Sequence, residues 1–155
     1  MHVTLKELQF PVFGFKEGLI QVERGVTDFK GSSSVLKRWY PGMEIVDASL
    51  KRYRVEEVQI KGGVGPLWGL WEERFLGRCV FVDLALTPLP KEADFDEVRK
   101  KVLNYVVRKA QYSTASLKVV RAKIGETQTV AELADAMEKA FSGAWFPDFK
   151  KNKGN

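Results

Sequence analysis

The sequence predicts an α+β domain: a mainly antiparallel sheet built on a long central hairpin, about residues 53–87, packed by two C-terminal helices at about 94–111 and 130–141. Three observations predict it. Residues 53–61 and 67–87 form two extended runs rich in Val, Ile, Phe, Tyr and Trp, and Gly62-Gly63-Val64-Gly65-Pro66 between them holds the residues that turn a chain. Both C-terminal segments open on a capping pattern and carry apolar residues at helical spacing. Strands fill the first part of the chain and helices the last, the order expected of segregated layers.

Taken in order, residues 10–15 and 19–23 read as two short strands joined by Lys16-Glu17-Gly18. Pro11 cannot donate to a ladder, which suggests an edge position for the first. Residues 26–40 have two readings: a helical turn capped in Gly31-Ser32-Ser33-Ser34 and ended by Pro41-Gly42, or a loop followed by a strand. Met43, Val46, Leu50 and Tyr53 fit a helical stripe, whereas Val46, Ala48 and Leu50 fit one face of a strand. Within the hairpin the apolar parity changes between Tyr53/Val55 and Val58/Ile60, which predicts a β-bulge near Glu56-Glu57. Residues 78–86 are apolar on both parities, as in a central strand covered on both sides, with Gly77 dividing the run.

Pro88 and Pro90 end the strand. Asp94 and Glu97 then form a capping box for a helix whose stripe is Phe95, Val98, Val102, Tyr105, Val106 and Ala110. Residues 117–124 read as a further strand. Thr129 and Glu132 cap the second helix, whose stripe is Val130, Leu133, Ala134, Met137, Ala140 and Phe141, ended by Gly143. Residues 144–149 lay their aromatics back on the body, giving one domain over 1–149 and a disordered basic tail at 150–155.

At 155 residues and 45% hydrophobic, the chain is long enough to bury a core without disulfides or a structural metal. No apolar run approaches the roughly 20 residues that span a bilayer, so no membrane is expected. A single cysteine, Cys79, and no export-signal layout at the N-terminus point to the cytoplasm. The net charge is +5, and between residues 97 and 123 eight basic residues face Glu97 alone. Such a block attracts polyanions; it is equally a solvated face whose acidic partners come from elsewhere in the fold.

Several chemistries are excluded. The only histidine, His2, leaves a Ser-His-Asp or Cys-His site without a base. One Cys and one His cannot make a Cys/His zinc site. No GxGxxG opens a helix, and Lys30-Gly31-Ser32 reverses the phosphate-loop order. Glu56, Glu57, Glu72 and Glu73 converge if the hairpin pairs about Val64, either to hold a cation or to interleave with Arg52, Arg54, Arg74 and Arg78. Asp83 is the odd member of the central strand and, if buried, requires a partner there, as a structural or as a site residue.

Asp47 followed by Glu57-Val58-Gln59-Ile60-Lys61 resembles the site of the PD-(D/E)xK nuclease superfamily, with Gln59 where a carboxylate is usual. The resemblance implies Asp47 and Gln59 as Mg²⁺ ligands, Glu57 as an extra ligand and Lys61 beside the attacked phosphate. It implies Mg²⁺ as the cofactor of that alternative; otherwise none is expected.

The function the sequence favours is a small non-enzymatic protein that binds another macromolecule, with an inhibitor or immunity-type role as one form. Four Trp and ten Phe exceed what a small core needs, and Trp68 and Trp71 beside the glycine turn are the protein-binding candidates. The alternative is nucleic-acid binding through Lys100, Lys101, Arg108, Lys118, Arg121 and Lys123, with Tyr105 and Tyr112 to stack bases. The oligomeric state is left open.

Overall fold

The computed structural model describes residues 2–63 and 79–146. Its centre is a curled, antiparallel six-stranded sheet in the order β2-β1-β4-β5-β6-β3. The α+β class is therefore the observed one. Strand β1 (Val12–Lys16) pairs with β2 (Leu19–Glu23) through a two-residue turn, Glu17-Gly18, in which both residues have positive φ, 52° and 75°. That is the turn whose twist matches a right-handed hairpin, and glycine occupies it without a Cβ penalty. Strand β1 also pairs with β4 (Glu44–Val46), so it is interior. Pro11 stands just before it, where no ladder bond is needed, and does not mark an edge.

Residues 26–40 take the helical reading. A 3-10 turn at Val26–Asp28 leads to the short strand β3 (Lys30–Ser32) and then to α1 (Ser33–Trp39). Of residues 43–50 only Glu44–Val46 form a strand, β4, while residues 47–50 make a turn with Leu50 at φ 67°, so neither the helical stripe nor the strand face through Ala48 and Leu50 forms.

The long hairpin is present as β5 (Arg52–Gly63) and β6 (Cys79–Pro88). Its register is not the one that pairing about Val64 would give. Gly63 lies opposite Val80 and Glu57 opposite Ala85, so the connection is longer than the glycine run. The predicted stretch 67–78, with Gly77, Glu72 and Glu73, lies outside the described residues. A register shift between Val55 and Glu57 supplies the expected bulge, and a second follows between Ile60 and Gly62.

Residues 95–110 form the first predicted C-terminal helix, α2 (Phe95–Ala110), with the Asp94 carboxylate accepting from the Asp96 amide at 3.0 Å. The strand expected at 117–124 is a helix, α3 (Thr114–Gly125). Ser113 caps it by accepting from the Ser116 amide at 3.2 Å, and Val120 and Ile124, four apart, are buried against α2 and α4. The β-branched residues suggested a strand; burial of one helical stripe outweighs that propensity. Helix α4 (Val130–Ser142) begins at Thr129, which accepts from the Glu132 amide, and ends at Gly143 with φ 71°. Three C-terminal helices thus take the place of two.

Two apolar clusters occupy opposite faces of the sheet. On one, Leu5 and Leu8 from the N-terminal segment, Phe29 after the 3-10 turn, Leu36 from α1 and Tyr40 just past it pack on Ile45, Val55, Val80, Val82, Leu84 and Leu86. On the other, α2, α3 and α4 pack on Phe13, Ile20 and Val46, so this cluster draws its fully buried sheet residues from β1, β2 and β4. Trp145 and Phe146 fold back onto the helical cluster as expected, with the Phe146 ring 5.8 Å from that of Tyr112. No described helix is long and apolar enough to cross a membrane.

Candidate functional site

A groove of about 640 Å³ opens between the β1–β2 turn, the start of β4 and one face of α2. Helix α2 contributes Lys101, Asn104, Tyr105 and Arg108, spaced at i, i+3, i+4 and i+7 and therefore on one face. The hairpin contributes Phe15, Lys16, Leu19 and Ile20, and β4 contributes Glu44. Phe15 lies opposite both Ile20 and Glu44 in the ladders, which aims all three toward the helix side.

The groove's charges divide into two kinds. Lys16 is committed to the fold: its ammonium donates to the carbonyls of Arg38, Trp39 and Pro41 at 3.2, 2.7 and 2.8 Å and lies 5.6 Å from the centre of the Trp39 ring system. A cation is favourable there because the end of α1 presents carbonyls that lack helical partners. Glu44 is also committed, since Arg52 grips it in a two-pronged contact of 2.9 and 3.0 Å. Those hydrogen bonds hold its carboxyl below the usual carboxylate range.

Lys101 and Arg108 are different. The Lys101 ammonium lies 5.3 Å from the Phe15 ring centre, and the Arg108 guanidinium 5.9 Å from that of Tyr105. Arg108 also donates to the Gly18 carbonyl at 2.6 Å, tying the hairpin tip to α2. Neither forms an ion pair among the described residues. The groove therefore has aromatic walls, each carrying a cation.

The other basic candidates do not share this groove. Lys100 is exposed elsewhere on α2, and Lys118 and Arg121 are exposed on α3. Lys123 lines a separate depression with Glu126, Glu132 and Asp135. Tyr112 is half-buried, its hydroxyl donating to the Ala140 carbonyl at 2.5 Å, and Tyr105 packs edge-on to Phe141 at 5.8 Å. Trp68 and Trp71 lie outside the described residues.

The residues of the nuclease-like pattern are spread from the β4–β5 turn along β5. Asp47, only 1% exposed, organises the β4–β5 turn. One of its oxygens accepts from the Ser49 amide (2.9 Å), the Ser49 hydroxyl (2.7 Å) and the Lys51 amide (3.1 Å), while the other accepts from the Gln9 amide (3.4 Å). Lys61 is exposed near the far end of β5, about 25–30 Å along the strand. Glu57 and Gln59 line a shallow depression with Asp83 and His2, which Asp47 does not enter. Asp83 itself accepts from the Leu5 amide at 3.1 Å and the Leu84 amide at 2.8 Å. It thereby fastens the N-terminal turn to β6 beside the Val3–Leu86 bridge. Among the described residues, no three His, Cys, Asp or Glu are grouped to hold a metal ion.

At the other end of β2 a polar chain links the sheet to α1. The Trp39 indole N–H donates to Gln21 at 2.9 Å, and the Gln21 amide donates to Glu23 at 2.8 Å and to the Tyr40 hydroxyl at 3.1 Å. Burial, and then the neighbouring Asp28 carboxylate, push the Glu23 carboxyl up to about 7.

Sequence reasoning found Lys101, Tyr105 and Arg108 but missed Phe15, Lys16 and Asn104 as their neighbours. The Phe-Gly-Phe run before a Glu-Gly turn was the only local signal for a hairpin tip there. Comparison of the chain with protein-family models, curated proteins and solved structures finds no match.

Proposed function

We propose that the chain is a small binding protein, without catalysis of its own, that holds an acidic extended segment of a partner protein in the groove between β1–β2 and α2. The observation that carries this reading is the placement of Lys101 over Phe15 and Arg108 over Tyr105, while the nearby Glu44 carboxylate is taken up by Arg52. An apolar side chain of the partner lies on the rings and a neighbouring carboxylate meets the two cations, an apolar centre with a polar rim. An inhibitor or immunity-type role is one form of this function, since it needs a surface and no reaction.

Protein is favoured over nucleic acid because the candidate basic residues are divided between the groove (Lys101, Arg108), another part of α2 (Lys100), exposed positions of α3 (Lys118, Arg121) and the acidic depression around Lys123. Tracking a phosphate backbone calls for a continuous positive path with free aromatic faces. Calorimetry with short peptides that carry Glu beside Leu or Phe tests the reading. Binding is expected to persist at 200 mM salt and to weaken about ten-fold or more in Lys101→Glu and Arg108→Glu. Peptide binding unaltered in the double variant, or binding only of oligonucleotides with a steep salt dependence, overturns it.

A further inference from the structure

Among the described residues, strand β2 ends the sheet and pairs with β1 alone. Which of its backbone groups face outward follows from the turn. In a two-residue hairpin the closing pair, Lys16 and Leu19, exchanges both ladder bonds, and the bonding then alternates. Gln21 and Glu23 bond to Gly14 and Val12, which leaves the N–H and C=O of Ile20 and Val22 pointing away from the sheet.

The two ends of the sheet are treated differently. At the other end, β3 is three residues long, and the flank of β6 beyond it is taken up by the Val3–Leu86 bridge. Both devices limit edge-to-edge pairing. Among the described residues, strand β2 has neither. Its five residues, Leu-Ile-Gln-Val-Glu, contain no proline or lysine, and their register runs without a bulge. Two of the exposed large apolar side chains flank it: Leu19, 38% exposed, on the strand, and Phe141, 38% exposed, which lines a depression with Val22.

We infer that β2 is a self-association edge, occupied by β2 of a second copy of this chain in antiparallel, two-fold register about Gln21. In that register Ile20 lies opposite the second copy's Val22, so each outward N–H meets an outward C=O and about four new ladder bonds form. The apolar pair falls on the helix side, where cross-strand contacts of this kind are favourable.

Charge selects the antiparallel arrangement. The Gly18 end of β2 carries Lys16, Lys101 and Arg108 against Glu17 and the Arg52-paired Glu44. The Glu23 end carries Asp28, Asp135 and Glu138, with Arg24 and Lys30 as the cations among them. A two-fold axis through Gln21 sets the basic end of each copy against the acidic end of the other.

The test is the mass of the wild-type chain by sedimentation from about 1 to 300 μM, together with amide hydrogen exchange at both extremes. Expected is a dimer at high concentration in which the Ile20 and Val22 amides become protected, while the Gln21 amide, bonded to β1, is protected throughout. Val22→Pro removes an outward N–H without touching the β1 ladder and is expected to weaken the dimer at least ten-fold with its circular dichroism unchanged. If that variant misfolds, the exchange pattern of the wild type decides alone. A monomer at 300 μM overturns the inference, as does a dimer that leaves Ile20 and Val22 unprotected. Protection at these amides that needs added partner peptide assigns the edge to a partner strand and also overturns it.

Discussion

Replacing Asp47 distinguishes an architectural carboxylate from a metal ligand, because Ala and Asn act on it differently. Asp47→Ala removes acceptors from three backbone amides and one hydroxyl in a site that is almost fully buried. A hydrogen bond to a charged group contributes about 1.5–3 kcal/mol, and a buried donor left without a partner costs about 1–3 kcal/mol. Some of these amides regain water when the turn loosens, so the sum is smaller than the parts. The expected loss is about 3–5 kcal/mol. Asp47→Asn keeps the oxygen that accepts from Ser49 and Lys51 and gives up only the long 3.4 Å contact from Gln9. Its expected loss is about 1–2 kcal/mol, mostly the weakening of charge-assisted bonds. Urea unfolding followed by tryptophan fluorescence measures both. Equal destabilisation by Ala and Asn, or stability of the Ala variant within about 0.5 kcal/mol of wild type, refutes the reasoning.

Two further perturbations test the same physical reading elsewhere. Lys16→Met keeps the apolar stem but withdraws the ammonium from the three carbonyls at the end of α1. It is expected to cost about 1–3 kcal/mol and to speed exchange of α1 amides before those of β1; uniform exchange contradicts it. Glu23 is raised to about 7 in the fold from an ordinary 4.5, so the folded chain holds its proton while the unfolded chain releases it. Its contribution to stability is therefore highest below about 4.5 and falls as pH rises to about 7, by roughly 1–2 kcal/mol once the residue's partial exposure is allowed for. Glu23→Gln is expected to remove that fall, matching wild type at pH 4 and exceeding it at pH 8; parallel pH curves for the two proteins rule it out.

What the sequence made legible follows from how local each signal is. Helices α2 and α4 were readable because cap, stripe and stop sit within one segment, from Asp94 and Thr129 to Gly143. The bulge at Glu56 was readable because it shifts the apolar parity of one strand. Helix α3 was not, because Leu117, Val119, Val120 and Ile124 satisfy both periods, and only contact with α2 and α4 decides between them. The same limit applies to the groove. Lys101 and Arg108 stood out as charges, yet their meaning depends on Phe15 and Gly18, about 90 residues away, which α2 meets only by docking on β2. Asp47 and Lys61 looked like neighbours because 14 positions are few in sequence; an extended strand turns those positions into a long separation.

The most direct test of the central claim is an amide-shift map of the labelled protein titrated with an acidic, leucine-containing peptide, repeated with a short oligonucleotide. The account expects peptide-induced shifts confined to residues 15–20, 42–44 and 101–108, retained at 200 mM salt and abolished by Lys101→Glu with Arg108→Glu. Shifts that appear only with the oligonucleotide and centre on Lys118 and Arg121, or a peptide map that survives the double variant, would contradict it.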